Sequence, residues 1–318
     1  ARPHPGEPAP LGMAMGRRQH PDREVRRVTA EAVSEALAPG LRTRAYIFNT
    51  LAQDKATDDR LRAYPTWLSS RNLSNEASDE SVRALIEAVE GSYDVPQRWY
   101  RRKAQVLGLE KLADYDRAAA VADDEEEYSW ESATGVVREA YADFSPELGD
   151  LVGRFFDERW IDAPTRPGKR GGAFCAYTTP SVHPYLLLNW TSRRRDVMTL
   201  AHELGHGVHA ALAVPRGIFE QHTPLTVCET ASVFGESLVF RRLLEDTDSP
   251  MSRLSLLASN LEDTIATVFR QTAMNRFEEA VHTHRRTEGE LSVEAFGDHW
   301  AATQELSLIH ISEPTRPY

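Results

Sequence analysis

The feature that most constrains this 318-residue sequence is an apolar helix that also carries polar and charged side chains. A helical pattern begins at Asp196, continues to about Ala213 and is apolar nearly all the way round, as in a buried helix. The same stretch contains three histidines and one glutamate: His202, Glu203, His206 and His209. Because buried polar groups need partners, we predict that the fold surrounds this helix and that a metal ion is one of those partners.

Two of these histidines belong to an HExxH pattern, His202-Glu203-Leu204-Gly205-His206. Residues four apart on a helix share one face, so both imidazoles can reach a single Zn²⁺ at ~2.0–2.1 Å. Glu203 then lies beside the ion, where it can accept a proton from a zinc-activated water and act as general base. We therefore predict one zinc ion bound by His202 and His206, with Glu203 as the catalytic residue of a hydrolase.

A catalytic zinc site also needs a third protein ligand, and three glutamates after the motif are candidates. Glu229 lies early in the next predicted helix, which a short loop would allow to pack antiparallel to the motif helix. Glu220 falls in that loop. Glu236 lies one heptad beyond Glu229 and could instead hydrogen-bond a ligating histidine. We predict Glu229 as the third ligand.

Other interpretations of these residues stay open at this point. His209 shares a helix face with His202 and could contact substrate or support the site, but a hydrogen-bonded core histidine fits equally well. Hydrogen bonds alone could satisfy the histidine pair. A zinc-stabilised helical scaffold would need a fourth ligand, commonly cysteine, and Cys175 and Cys228 do not cluster. A hydrolase that applies the same zinc chemistry to a non-peptide substrate is a further alternative.

Outside the motif, the sequence predicts a mainly helical fold with a small β-sheet just before the motif helix. Helical patterns dominate the first 160 residues, with Asp22 and Ser78 as helix caps. After Pro164, glycines interrupt the helical pattern and residues 173–178 and 183–190 are predicted as two short strands. Thr223 is predicted to cap the helix that carries Glu229, with a proline in its first turn.

The charge and composition exclude some classes of function. A net charge of −11 argues against nucleic-acid binding, which depends on basic residues. No stretch approaches the ~20 apolar residues of a membrane span. Two isolated cysteines predict a reduced, cytoplasmic protein in which both are small buried side chains. The sequence indicates no obligate protein partner.

Several short motifs resemble one family in their order along the chain. They are Arg71–Glu76, Trp99–Lys103, Lys169–Phe174, His183–Tyr185, Arg195–Val197, the HELGH motif and Glu229–Ser232. Together they resemble the oligoendopeptidase F group of the thimet-type (M3) zinc metallopeptidases. The resemblance covers approximately residues 22–305.

The resemblance implies a zincin-like, mostly helical fold with a deep channel, one Zn²⁺ and endopeptidase action on short peptides. By motif position, His202, His206 and Glu229 take the ligand roles and Glu203 the role of general base. In this family, the strand before the motif helix pairs with the main chain of the substrate. Here that strand would be residues 173–177, which begin at Ala173, or residues 183–188, which include His183 and Tyr185. Both are equally compatible with ordinary sheet strands.

The resemblance also predicts where this chain departs from the family. Members begin with further helices and continue past the equivalent of Trp300 into a segment with substrate-binding His and Tyr residues. We therefore expect a fold that is truncated at both ends and a chain that is a poor catalyst by itself. The predicted segments are an irregular stretch over 1–21, a partial catalytic domain over 22–305, and a tail over 306–318. That tail resembles a translated sequencing adapter, so we expect it to be non-native.

Overall fold

The computed structural model describes residues 14, 16–122, 127–308 and 311–312, with side chains as far as residue 304. The described residues form two compact units. The first unit comprises those of Ala1–Asp123 and Leu254–Tyr318, and the second those of Asp124–Arg253. The segments predicted over 1–21 and 306–318 lie largely outside the described residues, so the predicted boundaries at residues 22 and 305 stay predictions.

Helices make up most of the described chain. They are α1 (Arg23–Leu37), α2 (Leu41–Leu61), α3 (Ser69–Ser74), α4 (Asp79–Glu90), α5 (Asp94–Val106), α6 (Trp130–Phe144), α7 (Pro146–Asp157), α8 (Arg194–Ala213), α9 (Leu225–Asp246), α10 (Pro250–Ile265), α11 (Gln271–Thr287) and α12 (Val293–Leu308). The strands are β1 (Leu112–Ala113), β2 (Ile161–Pro164), β3 (Phe174–Ala176), β4 (Tyr185–Trp190) and β5 (Ile311–Ser312). A π-helical segment connects α10 to α11. Among the described residues, no helix is both long and apolar enough to cross a bilayer. The predicted fold class is confirmed.

Two predicted caps begin helices of the first unit. The Asp22 carboxylate accepts a hydrogen bond from the Glu24 N–H at 2.9 Å, at the start of α1. The Ser78 hydroxyl oxygen accepts one from the Ser81 N–H at 3.0 Å, at the start of α4. Each bond satisfies one of the N–H groups that a helix start leaves without an intrahelical partner. These helix boundaries are therefore encoded locally.

The predicted cap of α9 is wrong. The helix begins at Leu225, and no side chain caps it. Pro224 has a φ of −55° and a ψ of 149°, which is extended rather than helical backbone. Because Pro224 is itself the residue before the helix, Thr223 lies one residue too early to cap the first turn.

The second unit contains a three-stranded sheet in the order β2–β4–β3. β2 runs parallel to β4, and β3 runs antiparallel to β4. The sequence predicts β3 and β4, each slightly too long, but it does not predict β2. That strand ends at Pro164, the residue at which we predicted the change from helices to strands. In the described part of the chain, β3 pairs on one side only, so it is an edge strand.

The motif helix α8 packs against this sheet and is buried as predicted. Five of its apolar residues have no exposed surface: Val197, Leu200, Ala201, Leu204 and Ala210. Gly207 faces α7 and β4. A Cβ at that position would lie 2.7 Å from the Phe155 ring and 3.2 Å from Leu186 Cδ1. The glycine therefore allows two large side chains to reach the backbone of the helix.

In the first unit, a buried carboxylate joins α1 to the segment after β1. The Asp116 side chain has no exposed surface. It accepts hydrogen bonds from the Arg23 and Arg26 guanidinium groups, each at 2.8 Å, and from the Ala113 N–H at 2.9 Å. Because this carboxylate lies between two cations and a backbone N–H, it stabilises the folded state only in its ionised form.

We predict that Asp116→Asn lowers the free energy of unfolding by about 3–5 kcal/mol, because breaking a buried ion pair leaves uncompensated buried charge. Urea unfolding followed by circular dichroism measures the change. The matched control is Asp58→Asn, whose pairing with Arg62 at 3.5 Å is 63% exposed on both sides. That change should lower the free energy of unfolding by no more than about 1 kcal/mol. Equal effects of the two substitutions would contradict the prediction.

The same carboxylate predicts a pH dependence. Burial acts to raise the pKa of Asp116, but the hydrogen bonds from Arg23, Ala113 and Arg26 outweigh it and hold the pKa below the ordinary 3.8. A depressed folded pKa means that the stabilisation is complete above the ordinary pKa and is lost as the pH falls through the folded value. The difference between wild type and Asp116→Asn should therefore shrink only at acidic pH.

Candidate metal centre

The site lies where the backbones of α8 and α9 come into very close contact. A Cβ added to Gly205 would lie 2.4 Å from the Ala231 carbonyl oxygen and 2.6 Å from Ser232 Cα. A Cβ added to Gly235 would lie 2.7 Å from the Ala201 carbonyl oxygen. From the first contact to the second, the position moves back one turn on α8, from Gly205 to Ala201, and forward one turn on α9, from Ala231 to Gly235. The two helices therefore run antiparallel. The close approach brings the side chains of both helices together at HExxH.

Three of the predicted residues converge on one point. His202 Nε2 and His206 Nε2 are 3.2 Å apart. Glu229 Oε2 lies 3.5 Å from the first and 3.7 Å from the second. His202, His206 and Glu229 together form a cluster whose ligand atoms lie within 4.8 Å of one another. Glu220, the rival in the loop, is exposed and is not part of this cluster.

The spacing of these three atoms fits a tetrahedral zinc ion. With bonds of ~2.0–2.1 Å, two ligands of such an ion are about 3.3–3.4 Å apart. The observed separations lie between 3.2 and 3.7 Å. Two imidazoles and a carboxylate are also a donor set that catalytic zinc uses. The Glu229 side chain is 54% exposed, so the cluster is open to solvent on that side.

Glu236 lies on the opposite side of the His202 ring from Glu229. Its Oε1 is 2.5 Å from His202 Nδ1, and this hydrogen bond is the main cause that raises the pKa of His202. A carboxylate at Nδ1 holds the proton on that nitrogen and leaves Nε2 with a lone pair that faces the cluster. Glu236 therefore hydrogen-bonds His202, and its role in supporting a ligating histidine stays a prediction.

Glu203 is buried beside the cluster, with 6% of its surface exposed. Burial raises the pKa of its carboxyl to about 7, and the nearby charges of Glu229 and Glu236 add to the effect while His202 opposes it. A carboxyl with a pKa near neutrality can both accept and return a proton. Burial also lowers the pKa of His206, which favours the neutral imidazole that a metal requires.

His209 does not join the cluster. Its Nδ1 is buried with no hydrogen-bond partner, and burial lowers the pKa of the ring. The hydrogen-bonded core histidine considered above is therefore not what the structure shows at this nitrogen, and a role in contacting substrate stays a prediction.

The three candidates from the sheet occupy different positions. Ala173 directly precedes the edge strand β3, and the next-but-one residue, Cys175, has a thiol whose pKa is raised to about 12 by burial and by the Glu203 charge. β3 therefore lies close to the catalytic candidate. His183 instead stacks on the Trp160 ring at 4.2 Å, and the ring of Tyr185 lies 4.2 Å away on a tilted plane. These contacts make His183 part of an aromatic cluster.

Two tyrosines near the site were not among the predicted site residues. The buried Tyr141 hydroxyl donates a hydrogen bond to the Ala201 carbonyl oxygen at 3.2 Å. The Tyr177 hydroxyl is buried without a hydrogen-bond partner, and its pKa is raised by burial and by the charges of Cys228, Cys175 and Glu229. Tyr141 lies far from the motif in sequence, and no periodic pattern marks it. Tyr177 falls at the end of the predicted strand 173–177, but nothing in that pattern singled out its hydroxyl.

A sequence profile described as Peptidase family M3 matches residues 17–316. The chain belongs to peptidase family M3. Chromosomal oligoendopeptidase F of Lactococcus lactis subsp. cremoris is 27% identical to this chain, called the M3 chain below, over 264 residues. The match covers 82% of the M3 chain and 43% of the relative. Oligopeptidase PepF of Bacillus subtilis (strain 168) is 27% identical over 310 residues, 90% of this chain and 45% of the relative. The M3 chain thus spans less than half the length of these relatives, and the resemblance to oligoendopeptidase F is confirmed.

Solved structures agree on the fold. A protein from Chlamydophila abortus superimposes with a TM-score of 0.83 at 24% identity, over 96% of the M3 chain and 51% of that protein. Oligoendopeptidase-F from Enterococcus faecium superimposes with a TM-score of 0.67 at 20% identity, over 94% of the M3 chain and 47% of that enzyme. At these identities the likeness concerns the fold alone.

The close backbone contact between α8 and α9 predicts that Gly205→Ala is destabilising. The new methyl group would meet backbone atoms of α9 that no side-chain movement can clear, so the free energy of unfolding should fall by about 1–3 kcal/mol. Thermal and urea unfolding of the zinc-free chain measure it.

Gly135→Ala in α6 is the matched control, because a Cβ there meets no atom within 4 Å. Alanine at an open helical position should raise the stability by up to ~1 kcal/mol. If Gly205→Ala left the stability unchanged or raised it as Gly135→Ala does, the contact between α8 and α9 would be looser than described.

Proposed function

We propose that the M3 chain carries the zinc site of a metalloendopeptidase that hydrolyses peptide bonds in short oligopeptides. The observation that carries this proposal is the convergence of His202 Nε2, His206 Nε2 and Glu229 Oε2 beside the buried Glu203 carboxyl. Membership of family M3 and the similarity to oligopeptidases support the peptide substrate. A cytoplasmic location belongs to the same proposal.

In this proposal, His202, His206 and Glu229 are the residues that would hold one Zn²⁺. The ion, when bound, supplies Lewis acidity that polarises a carbonyl group and makes water more acidic. Glu236 fixes the His202 ring by accepting a hydrogen bond from Nδ1–H, so that Nε2 keeps its lone pair toward the cluster. His209, one turn beyond His206, is available to contact substrate.

Glu203 acts as the general base and then as the general acid. Its carboxylate takes a proton from the attacking water and later gives it to the leaving amine. Burial supports both steps, because a carboxylate removed from water holds a proton more readily than an exposed one. Its position next to His202 in sequence keeps it beside the cluster without making it a ligand.

The edge strand β3 is the best candidate in the described chain to bind the substrate main chain. One side of its backbone is unpaired there, and Cys175 within it lies in the electrostatic range of Glu203. An extended peptide could add to this edge, starting at Ala173, as a further strand. Tyr185 is the first residue of β4 and His183 lies just before it, and β4 is already paired on both sides. We therefore favour β3 over β4.

A structural zinc site in a binding scaffold is less well supported. Such a site is closed by four protein ligands. Within the described residues, the cluster contains three donors, and neither cysteine belongs to it. The raised thiol pKa values of Cys175 and Cys228 also disfavour the thiolate form that zinc binds.

We predict that the purified chain binds about one Zn²⁺ and that His202→Ala, His206→Ala or Glu229→Ala each removes most of the affinity. Losing one of three ligands should cost roughly 3–5 kcal/mol, a third of the binding energy typical of structural zinc sites. Competition with a chromophoric chelator measures the Kd.

The matched control is Glu220→Ala, at the exposed glutamate of the loop, which should leave the zinc Kd unchanged. Glu236→Ala should weaken binding by about 10–100-fold, as expected for a residue that supports a ligand. Normal zinc binding by Glu229→Ala, together with complete loss in Glu236→Ala, would reverse the assignment of the third ligand.

The Glu203→Gln substitution distinguishes a catalytic zinc site from a structural zinc site in a binding scaffold. The substitution keeps the size of the side chain but removes the base, so zinc should stay bound while hydrolysis of a quenched peptide falls by roughly 10²–10⁴-fold. Glu220→Gln is the isosteric control and should retain full activity. The assay uses enough protein to resolve slow turnover, with ester substrates in parallel. Hydrolysis of esters but not of peptides would contradict the peptidase assignment.

A further inference from the structure

Tyr141 lies behind the metal centre, on α6, a third helix that packs against both α8 and α9. The ring is in α6, with 1% of its surface exposed. Its hydroxyl donates to the carbonyl oxygen of Ala201, the residue that directly precedes His202. The Tyr141 side chain therefore touches the backbone of the motif helix at the turn that carries the first histidine of the cluster.

Gly235 on α9 faces the same hydroxyl. A Cβ built at Gly235 would lie 2.0 Å from the Tyr141 hydroxyl oxygen, 3.1 Å from its Cζ and 2.7 Å from the Ala201 carbonyl oxygen. No side chain of any size fits between these atoms. The position opposite Ala201 on α9 is thus filled by the end of a tyrosine from a third helix instead of by a side chain of α9 itself.

On the basis of the proposed zinc site, we propose that Tyr141 and Gly235 act as a matched pair of positioning residues. Together they set the separation of α8 and α9 at the metal centre. Gly235 is adjacent to Glu236, and Ala201 is adjacent to His202. Any change in the spacing of Gly235 and Ala201 therefore passes directly to the hydrogen bond between Glu236 and His202. Glu229, on the same helix, moves with it.

The tolerance of a zinc site makes this spacing important. Ligand distances must lie within about 0.2 Å of their ideal values. A methyl group at Gly235 would meet Ala201 O at 2.7 Å, well below the ordinary van der Waals contact of 3.4–4 Å. Relief by moving α9 as a rigid helix would displace Glu229 and Glu236 by several tenths of an ångström, beyond that tolerance. Removing the hydroxyl leaves the ring in place but takes away one hydrogen bond that ties α6 to α8.

The test compares zinc affinities of the full chain in four forms: wild type, Tyr141→Phe, Gly235→Ala and the double variant. Kd is measured with Zn²⁺ itself against a chromophoric chelator, well below the melting temperature, and the Tm of each zinc-free form is recorded separately. We expect Gly235→Ala to weaken zinc binding by at least tenfold, in the range seen for residues that support ligands. Tyr141→Phe should weaken it by about two- to tenfold, the equivalent of one neutral hydrogen bond.

The double variant gives the sharpest outcome. Because Tyr141→Phe removes the atom in closest conflict with the new methyl group, the double variant should bind zinc more tightly than Gly235→Ala alone. Multiplicative losses in the double variant would show that the two residues act independently, which overturns the pairing. If Gly235→Ala does not fold, an unchanged Kd in Tyr141→Phe would by itself overturn the positioning role.

Val152→Ala in α7 is the control for a merely structural effect. Val152 has no exposed surface and belongs to a helix that does not carry any residue of the cluster. The substitution should lower Tm while leaving the zinc Kd unchanged. If it weakened zinc binding as much as Gly235→Ala does, general stability would explain both. A wild-type chain that binds no zinc would overturn the proposed function and this inference together, whereas normal wild-type binding with unchanged variants would overturn the inference alone.

Discussion

The close antiparallel contact of α8 and α9 is the interaction on which the candidate site depends. HExxH supplies two imidazoles from one helix, but a third donor has to come from elsewhere in the chain. Gly205 and Gly235 allow the two backbones to approach so closely that a methyl group at either position would collide with the opposite helix. At that distance a glutamate side chain on α9 is long enough to reach both Nε2 atoms. A larger residue at either glycine would hold the helices apart.

The second constraint is electrostatic. Two imidazoles and three carboxylates lie within a small and partly buried volume, and burial opposes ionisation of the most deeply buried carboxyl, Glu203. The three carboxylates have different positions relative to the two imidazoles. Glu236 pairs with the back of the His202 ring, Glu229 faces both Nε2 atoms, and Glu203 lies to one side. Three carboxylates of the same type therefore have different surroundings, and the proposed division into a supporting residue, a ligand and a base rests on that difference.

Local signals in the sequence predicted much of the fold. Asp22 and Ser78 begin their helices as expected, because a cap depends only on a side chain and the N–H groups of the next turn. The apolar pattern of α8 predicted its burial for a similar reason, since periodicity reports which faces a helix must cover. The failures are also local in kind. Thr223 is displaced from the cap position by one extended proline, and β2, which has 4 residues and ends at Pro164, is too short to give a pattern.

The sequence by itself determined the central residues of the candidate site: the histidine pair, the glutamate between them and the buried helix that carries all three. Spacing along one helix fixes those relations, because residues four apart must share a face. Only the tertiary structure decided which carboxylate faces the pair. Position along the sequence favoured Glu229 over Glu220 and Glu236, but only the register between α8 and α9 brings its carboxylate near both Nε2 atoms. The same register brings Tyr141 against Ala201 and Gly235, a contact among three helices that no one-dimensional pattern encodes.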